Sequence, residues 1–194
     1  MTPELVTAPS VEPVSLSEAK AQLNVTSSSQ DTYINTLIKT ARRQVERYLK
    51  RALITQTWKV HYHCFHSVME LPYPPITSVT HVKYYDDAGV QQTLSTAFYW
   101  SDLKSEPGKI VRKYDAVFPE VFPGRPNAVE IQYVAGYGDA DDVPEDIKHA
   151  ILMLITDYYD NRGEIVAGDR VSAQRIPAFI SGLLHDYRLY DFAN

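Results

Sequence analysis

The sequence is poor in the features that point to a compartment or a membrane. Its 194 residues include one cysteine, Cys64, which excludes an intrachain disulfide and is typical of a reducing compartment. No apolar run approaches the roughly 18–20 residues that span a bilayer. The N-terminus lacks the basic-then-apolar order of a signal peptide. We expect a soluble protein that is made in the cytoplasm and has no membrane partner.

Motifs for catalysis and metal binding are equally scarce. The sequence contains no glycine-rich phosphate loop, Gly-x-Ser-x-Gly or His-Glu-x-x-His. His61-Tyr-His-Cys-Phe-His66 has residue types that bind metals, but no second segment completes a zinc site. Asp139, Asp141 and Asp142 lack the central glycine and closing glutamate of an EF-hand loop. We expect no enzyme, no catalytic residue, no cofactor and no metal.

The overall charge is acidic, and aromatic residues are well represented. A net charge of −5 and a sequence pI of 5.6 argue against a dedicated nucleic-acid binder with a basic surface. The 14 tyrosines suit interfaces, since tyrosine combines a large contact area with a polar tip. They suit the half-buried faces of β-strands equally well, so composition alone does not select a function.

Hydrophobic periodicity changes twice along the chain. Ser15-Leu-Ser-Glu18 matches a capping box and predicts a short helix to about Leu23, and a 3.6-residue period predicts a long helix from about Gln30 to Lys50. From Thr57 the period becomes two, which predicts short strands and places Cys64 in the core with Trp58, Val60 and Tyr62. A 3.6-residue period returns in two later helices, about Ile147–Tyr159 and Pro177–Asp186.

We therefore predict an α+β fold, in which a helical bundle of about four helices carries an inserted small antiparallel β subdomain. The predicted organisation is an extended N-terminal arm at 1–14, a helical bundle from 15–52 and 143–188, a β subdomain at 54–136 and a C-terminal tail at 189–194. The arm, a surface loop at 164–176 and the tail lack a core of their own, so we expect them to order on docking.

Two oppositely charged helical segments form the candidate site. The long helix is basic outside its apolar arc, and the block from Asp139 to Asp169 is rich in acidic residues. Such patches suit a head-to-tail contact between copies, or pairing within one chain; the basic helix could also contact phosphates. The candidate interface residues are Lys39, Arg42, Arg43, Arg47, Lys50 and Arg51 on the basic side, with Arg42, Arg43 and Arg47 as the leading candidates, and Asp157, Asp160 and Glu164 on the acidic side.

Seven stretches carry a family resemblance by their joint order and spacing. They are Pro13–Val25, Arg51–Trp58, Leu71–Val79, Tyr84–Gly89, Tyr133–Gly138, Val143–Arg162 and Leu183–Arg188. In that order they resemble the head–tail connector proteins of tailed bacteriophages, also called adaptor or head-completion proteins, which occur in prophages and gene transfer agents as well. The serine-rich segment between Val25 and Asp31 departs from relatives, which often have more acidic residues there.

The resemblance implies a virion structural and assembly protein without catalytic residues, located in the neck at the head–tail junction and made in the host bacterial cytoplasm. It implies a homo-oligomeric ring of portal-matched symmetry, expected to be a dodecamer. The ring would lie under the portal protein, extend the DNA channel and provide the docking platform for a stopper or tail-completion protein. Packaged DNA would pass through without sequence-specific binding. The alternatives are another neck or tail-completion (stopper) protein, or a nucleic-acid-binding module using the basic helix 39–51.

Overall fold

The computed structural model describes residues 3–161 and 176–190 and divides the chain into two compact units. One unit combines Met1–Ser10 with Thr55–Tyr137 and is built of strands. The other combines Val11–Ile54 with Gly138–Asn194 and is helical. The predicted α+β class, with helices on both sides of an antiparallel β region in the sequence, is confirmed.

The helical unit contains four α-helices and three short 3₁₀ turns. The helices are α1 (Leu16–Gln22), α2 (Asp31–Leu49), α3 (Glu145–Asp160) and α4 (Ala178–Leu183), and the 3₁₀ turns lie at Ser28–Gln30, Ala140–Asp142 and His185–Tyr187. The amphipathic helices α2 and α3 pack on each other, and α1 packs against both. Ser15 caps α1 through the predicted capping box, in which Glu18 returns to the Ser15 backbone N–H at 2.7 Å. The apolar arc predicted for the long helix, α2, is buried except at Tyr48, because that arc faces α3.

The β unit contains two antiparallel sheets. Their strands are β1 (Pro3–Thr7), β2 (Gln56–Tyr62), β3 (Val68–Leu71), β4 (Ile76–Tyr85), β5 (Gln91–Thr93), β6 (Tyr99–Asp102), β7 (Gly108–Arg112) and β8 (Val129–Ala135). A five-stranded sheet has the order β1-β2-β8-β4-β5, and a three-stranded sheet has the order β3-β7-β6. In β8 every second residue is buried, so this central strand supplies Val129, Ile131, Tyr133 and Ala135 to the core.

Three expectations need correction in this unit. The arm predicted at 1–14 is not free over Pro3–Thr7, because these residues pair with the otherwise open edge of β2. Val68–Leu71 forms β3, at a place where no strand is predicted from the sequence. Cys64 is exposed and not in the core, because β2 ends at Tyr62 and the alternation of faces ends with it.

Two predicted segments fall mostly beyond the described residues. Of the loop at 164–176 the structure describes only residue 176, and of the tail at 189–194 only Leu189 and Tyr190. Within the described ranges, no helix is long and apolar enough to cross a membrane.

A cross-strand polar row ties three strands of the larger sheet together. Glu130 on β8 lies 3.1 Å from Nε2 of His81 on β4 and accepts a hydrogen bond at 3.3 Å from Nζ of Lys59 on β2. Burial alone would raise the pKa of Glu130, but the hydrogen bonds from His81 and Lys59 outweigh it and hold that pKa below its usual range. The ionised carboxylate therefore stabilises this sheet.

We predict that this stabilisation is lost in acid. Because the folded-state pKa of Glu130 is lowered, its contribution is complete above the unfolded pKa, about 4.3, and disappears as the pH falls through the folded value. Urea unfolding of the wild type and of Glu130→Gln should give a stability difference that shrinks between pH 7 and pH 3. The exposed Glu120→Gln is the control. A difference that stays constant with pH would contradict the assignment.

Candidate assembly surfaces on the helical unit

The six basic residues proposed as one interface face do not share one environment. Arg42 and Arg51 are buried, at 5% and 9% exposure, and Lys50 is half-buried. Lys39, Arg43 and Arg47 are exposed. The expectation of a single basic face is therefore wrong for Arg42 and Arg51, whose charges are used inside the chain.

Arg42 is the centre of a buried ion-pair network. Its Nε lies 2.7 Å from a carboxylate oxygen of Glu12, and its guanidinium also donates to Glu46 at 2.6 Å. The second oxygen of Glu46 accepts the backbone N–H of Leu53 at 3.1 Å. One network thus joins the segment before α1, the middle of α2 and the segment that leaves α2.

The burial of Arg42 could have been read from the helical period. At 100° per residue, Arg42 lies only about 20° from Leu49, which marks the edge of the apolar arc. Glu46 follows at i+4, the spacing at which side chains on a helix meet. The position of Glu12 could not have been found in this way, because that residue comes from a separate segment of chain.

Arg51 fastens the C-terminal segment to the end of α2. Its Nε donates to the backbone oxygen of Tyr187 at 2.5 Å, and the N–H of Leu189 donates to the oxygen of Leu49 at 3.0 Å. Lys50 adopts a left-handed backbone conformation with φ of 57° and ends the helix there. Arg51 is therefore a structural residue of the helical unit in the free chain.

Three cations remain available on the outer surface of α2. Lys39, Arg43 and Arg47 follow one another at i, i+4 and i+8, so they form one line along the helix, which we call the basic stripe. In the described part of the chain, none of the three has an ion pair or a side-chain hydrogen bond. Three unpaired cations in a row are a surface that favours an anionic partner.

The acidic block divides in a similar way. Near the start of α3, Asp142 accepts the backbone N–H of Asp139 at 2.9 Å, Glu145 pairs with Lys148 at 2.5 Å and Asp146 accepts from the Tyr187 hydroxyl at 3.1 Å. These carboxylates all bind groups of the helical unit itself. Negative charge is favourable here because the N-terminus of a helix carries partial positive charge.

The opposite end of α3 keeps its charge available. Asp160 is exposed and has no hydrogen bond or ion pair among the described residues, while the half-buried Asp157 accepts from the Asn161 side chain at 2.9 Å. Glu164, the third acidic candidate, lies outside the described residues. The candidate acidic surface is therefore centred on Asp160, with Asp157 beside it.

The other sequence candidates do not form a site. Across residues 3–161 and 176–190, no three His, Cys, Asp or Glu side chains are placed to hold a metal ion. In the His61–His66 cluster, Cys64 and His66 approach to 3.8 Å on the surface, whereas His61 Nε2 lies 3.7 Å from Glu4. The described residues therefore present charged and apolar surfaces for interaction.

Comparison with known proteins gives a family and a fold. Residues 13–190 match the sequence profile of a family described as "Head completion protein". No curated protein matches the chain. Chains from three solved structures share its fold over 100% of its length and 98% of theirs. They are the neck of an empty gene transfer agent (GTA) particle computed with C6 symmetry (22% identity, TM-score 0.80), the virion of a native GTA particle (21%, 0.79) and the neck of a native GTA particle computed with C12 symmetry (22%, 0.74).

The adjacent residues Arg42 and Arg43 give a matched pair for testing whether Arg42 stabilises the fold and Arg43 does not. Arg42→Met removes the cation that pairs with both Glu12 and Glu46, so we expect the free energy of unfolding to fall by about 3–5 kcal/mol. Arg43→Met removes an unpaired surface charge and should change it by less than about 0.5 kcal/mol. Urea unfolding followed by circular dichroism measures both. Equal effects of the two substitutions would refute the assignment of Arg42 to the interior.

Proposed function

The chain belongs to the head completion protein family, and we propose that it is the head–tail connector, or adaptor, of a tailed-phage-like particle. Family membership assigns it a structural role in completing the head, as opposed to a catalytic one. In our proposal, copies of the chain form a ring under the portal protein in the virion neck. The ring extends the DNA channel and offers its far face to a stopper or tail-completion protein. The match over residues 13–190 is the observation that carries this proposal.

The fold comparison supports a place in the neck. Two of the solved structures that share the fold are necks of GTA particles, and the similarity spans practically the whole of both chains. In our proposal, the same arrangement of elements serves the same position in a particle.

We assign the contacts between neighbouring copies to the basic stripe of one copy and the acidic end of α3 in the next. Two different patches on one chain give a heterologous contact, which generates a ring when its rotation closes. Lys39, Arg43 and Arg47 face one way with unpaired positive charge, and Asp157 and Asp160 supply the negative charge. Lys50 and Glu164 are the remaining members of the proposed contact.

The strength of this contact suits assembly on a template. Exposed ion pairs are each worth about 0.2–1 kcal/mol and are screened by salt, so they set orientation more than affinity. Isolated copies would therefore associate weakly. A portal that presents repeated docking positions would bring neighbours together, and the charged contact would then select their register.

A nucleic-acid-binding role loses support from the same geometry. Two of the six basic candidates are buried, and the three residues of the basic stripe could neutralise only about three phosphates. The chain also carries a net charge of −5. In our proposal, DNA passes through the ring without sequence-specific contacts.

Charge reversal tests the proposed contact. Arg43→Glu with Arg47→Glu should abolish ring formation on the cognate portal, because it sets negative charge against Asp157 and Asp160. Adding Asp157→Lys and Asp160→Lys to the same chain should restore assembly. Cosedimentation with purified portal measures the bound copies, and thermal unfolding of the free chain should shift by no more than about 2 °C, since both arginines are unpaired.

Lys104→Glu is the matched control, because Lys104 is an exposed cation of the β unit outside the proposed contact. It should bind the portal as the wild type does. Normal ring formation by the Arg43→Glu, Arg47→Glu variant would overturn the assigned contact.

A further inference from the structure

β1 is a weakly anchored edge strand of the larger sheet. It lies at the sheet edge and pairs antiparallel with β2. Pro3 is half-buried and the other four side chains are exposed. Leu5 lies opposite Trp58 yet remains 40% exposed, and Val6 is 44% exposed. Backbone hydrogen bonds to β2, and not buried side chains, therefore supply most of what holds β1 in place.

The pairing between β1 and β2 is also irregular. The register shifts between Leu5 and Thr7, so one extra residue of β1 interrupts the ladder. β2, in contrast, is fixed on its other side by seven successive pairs with β8. If β1 left, the sheet would stay intact and the outer edge of β2 would offer unpaired N–H and C=O groups to another strand.

A short proline-containing linker follows β1. Ala8–Val11 separates Thr7 from Glu12, and Glu12 is held by the buried Arg42 at 2.7 Å. The five residue steps from Thr7 to Glu12 span at most about 17 Å, and Pro9 keeps the linker extended. β1 belongs to the β unit, while Val11–Ile54 belongs to the helical unit. A strand with few buried side chains is thus tethered to a fixed point by a short hinge.

We propose that β1 is exchanged between copies: in the assembled ring it pairs with β2 of the neighbouring copy, and in the free subunit it pairs with its own β2. The inference rests on the ring proposed above. Exchange costs little free energy, because the same residues make the same hydrogen bonds in either partner. Each copy donates one strand and accepts one, which is a head-to-tail arrangement of the kind that closes into a ring.

The self-paired form has a role of its own before assembly. With β1 in place, the edge of β2 is covered, and subunits do not add to one another by edge-to-edge pairing. Docking on the portal would hold neighbouring copies close together, which raises the effective concentration of the neighbour's edge. Exchange would then lock the ring after the charged contact has set its register.

Cysteine cross-linking distinguishes the two pairings. Glu4 and Lys59 are directly paired, and Cα atoms in such pairs lie about 4.5–5.5 Å apart, within the range that a disulfide spans. In a Cys64→Ser background, one chain carries Glu4→Cys and another carries Lys59→Cys. The two chains are mixed, assembled on the portal, oxidised and separated on a non-reducing gel. We expect disulfide-linked dimers from rings and none from the free mixture.

The control uses a strand that does not exchange. Lys59 also pairs with Gln132 on β8, so chains carrying Lys59→Cys and Gln132→Cys separately should form no linked dimers in rings. Normal rings without Glu4–Lys59 dimers would overturn strand exchange and leave the connector proposal standing. Failure of all chains, the Cys64→Ser parent included, to form rings would overturn both proposals.

Discussion

The buried Arg42 joins three segments of the helical unit. Arg42 neutralises Glu12 and Glu46, and Glu46 in turn holds the backbone N–H of Leu53. The network fixes where the chain arrives before α1 and where it departs after α2. A buried charge that loses its partner costs several kcal/mol, so these positions are not free to drift. The fixed end of the β1 linker and the turn that leads into β2 both depend on this network.

The same network divides the basic residues of α2 into structural residues and residues available for assembly. Arg42 and Arg43 are adjacent in sequence and about 100° apart around the helix. Arg42 is buried, whereas Arg43 is exposed and remains available to a partner. Because Arg42 and Arg51 are buried, the exposed cations Lys39, Arg43 and Arg47 of the basic stripe form a single narrow line along the helix. A narrow line of cations suits one register against an anionic neighbour better than a broad basic face would, because a shift along it leaves charges unpaired.

The elements that the sequence predicts correctly depend on local signals. The elements that it does not predict depend on contacts between residues far apart in the chain. The Ser15 capping box, the α2 period and the alternation in β8 each lie within one segment, so pattern alone predicts them. β1 and β3 are short strands that form because an existing edge offers pairing, as β2 does for Pro3–Thr7. The same limit applies to the site: Glu46 lies four residues from Arg42 on the same helix, but Glu12, its other partner, lies 30 residues away.

The assigned contacts and the strand exchange both depend on the proposed ring of this chain at the tail-facing end of a portal. Electron microscopy of the purified protein mixed with its cognate portal tests it directly. We predict an added ring of density at that end, with the symmetry of the portal and an open central channel. Portals that remain undecorated, with the protein left free in the background, would contradict the proposed ring.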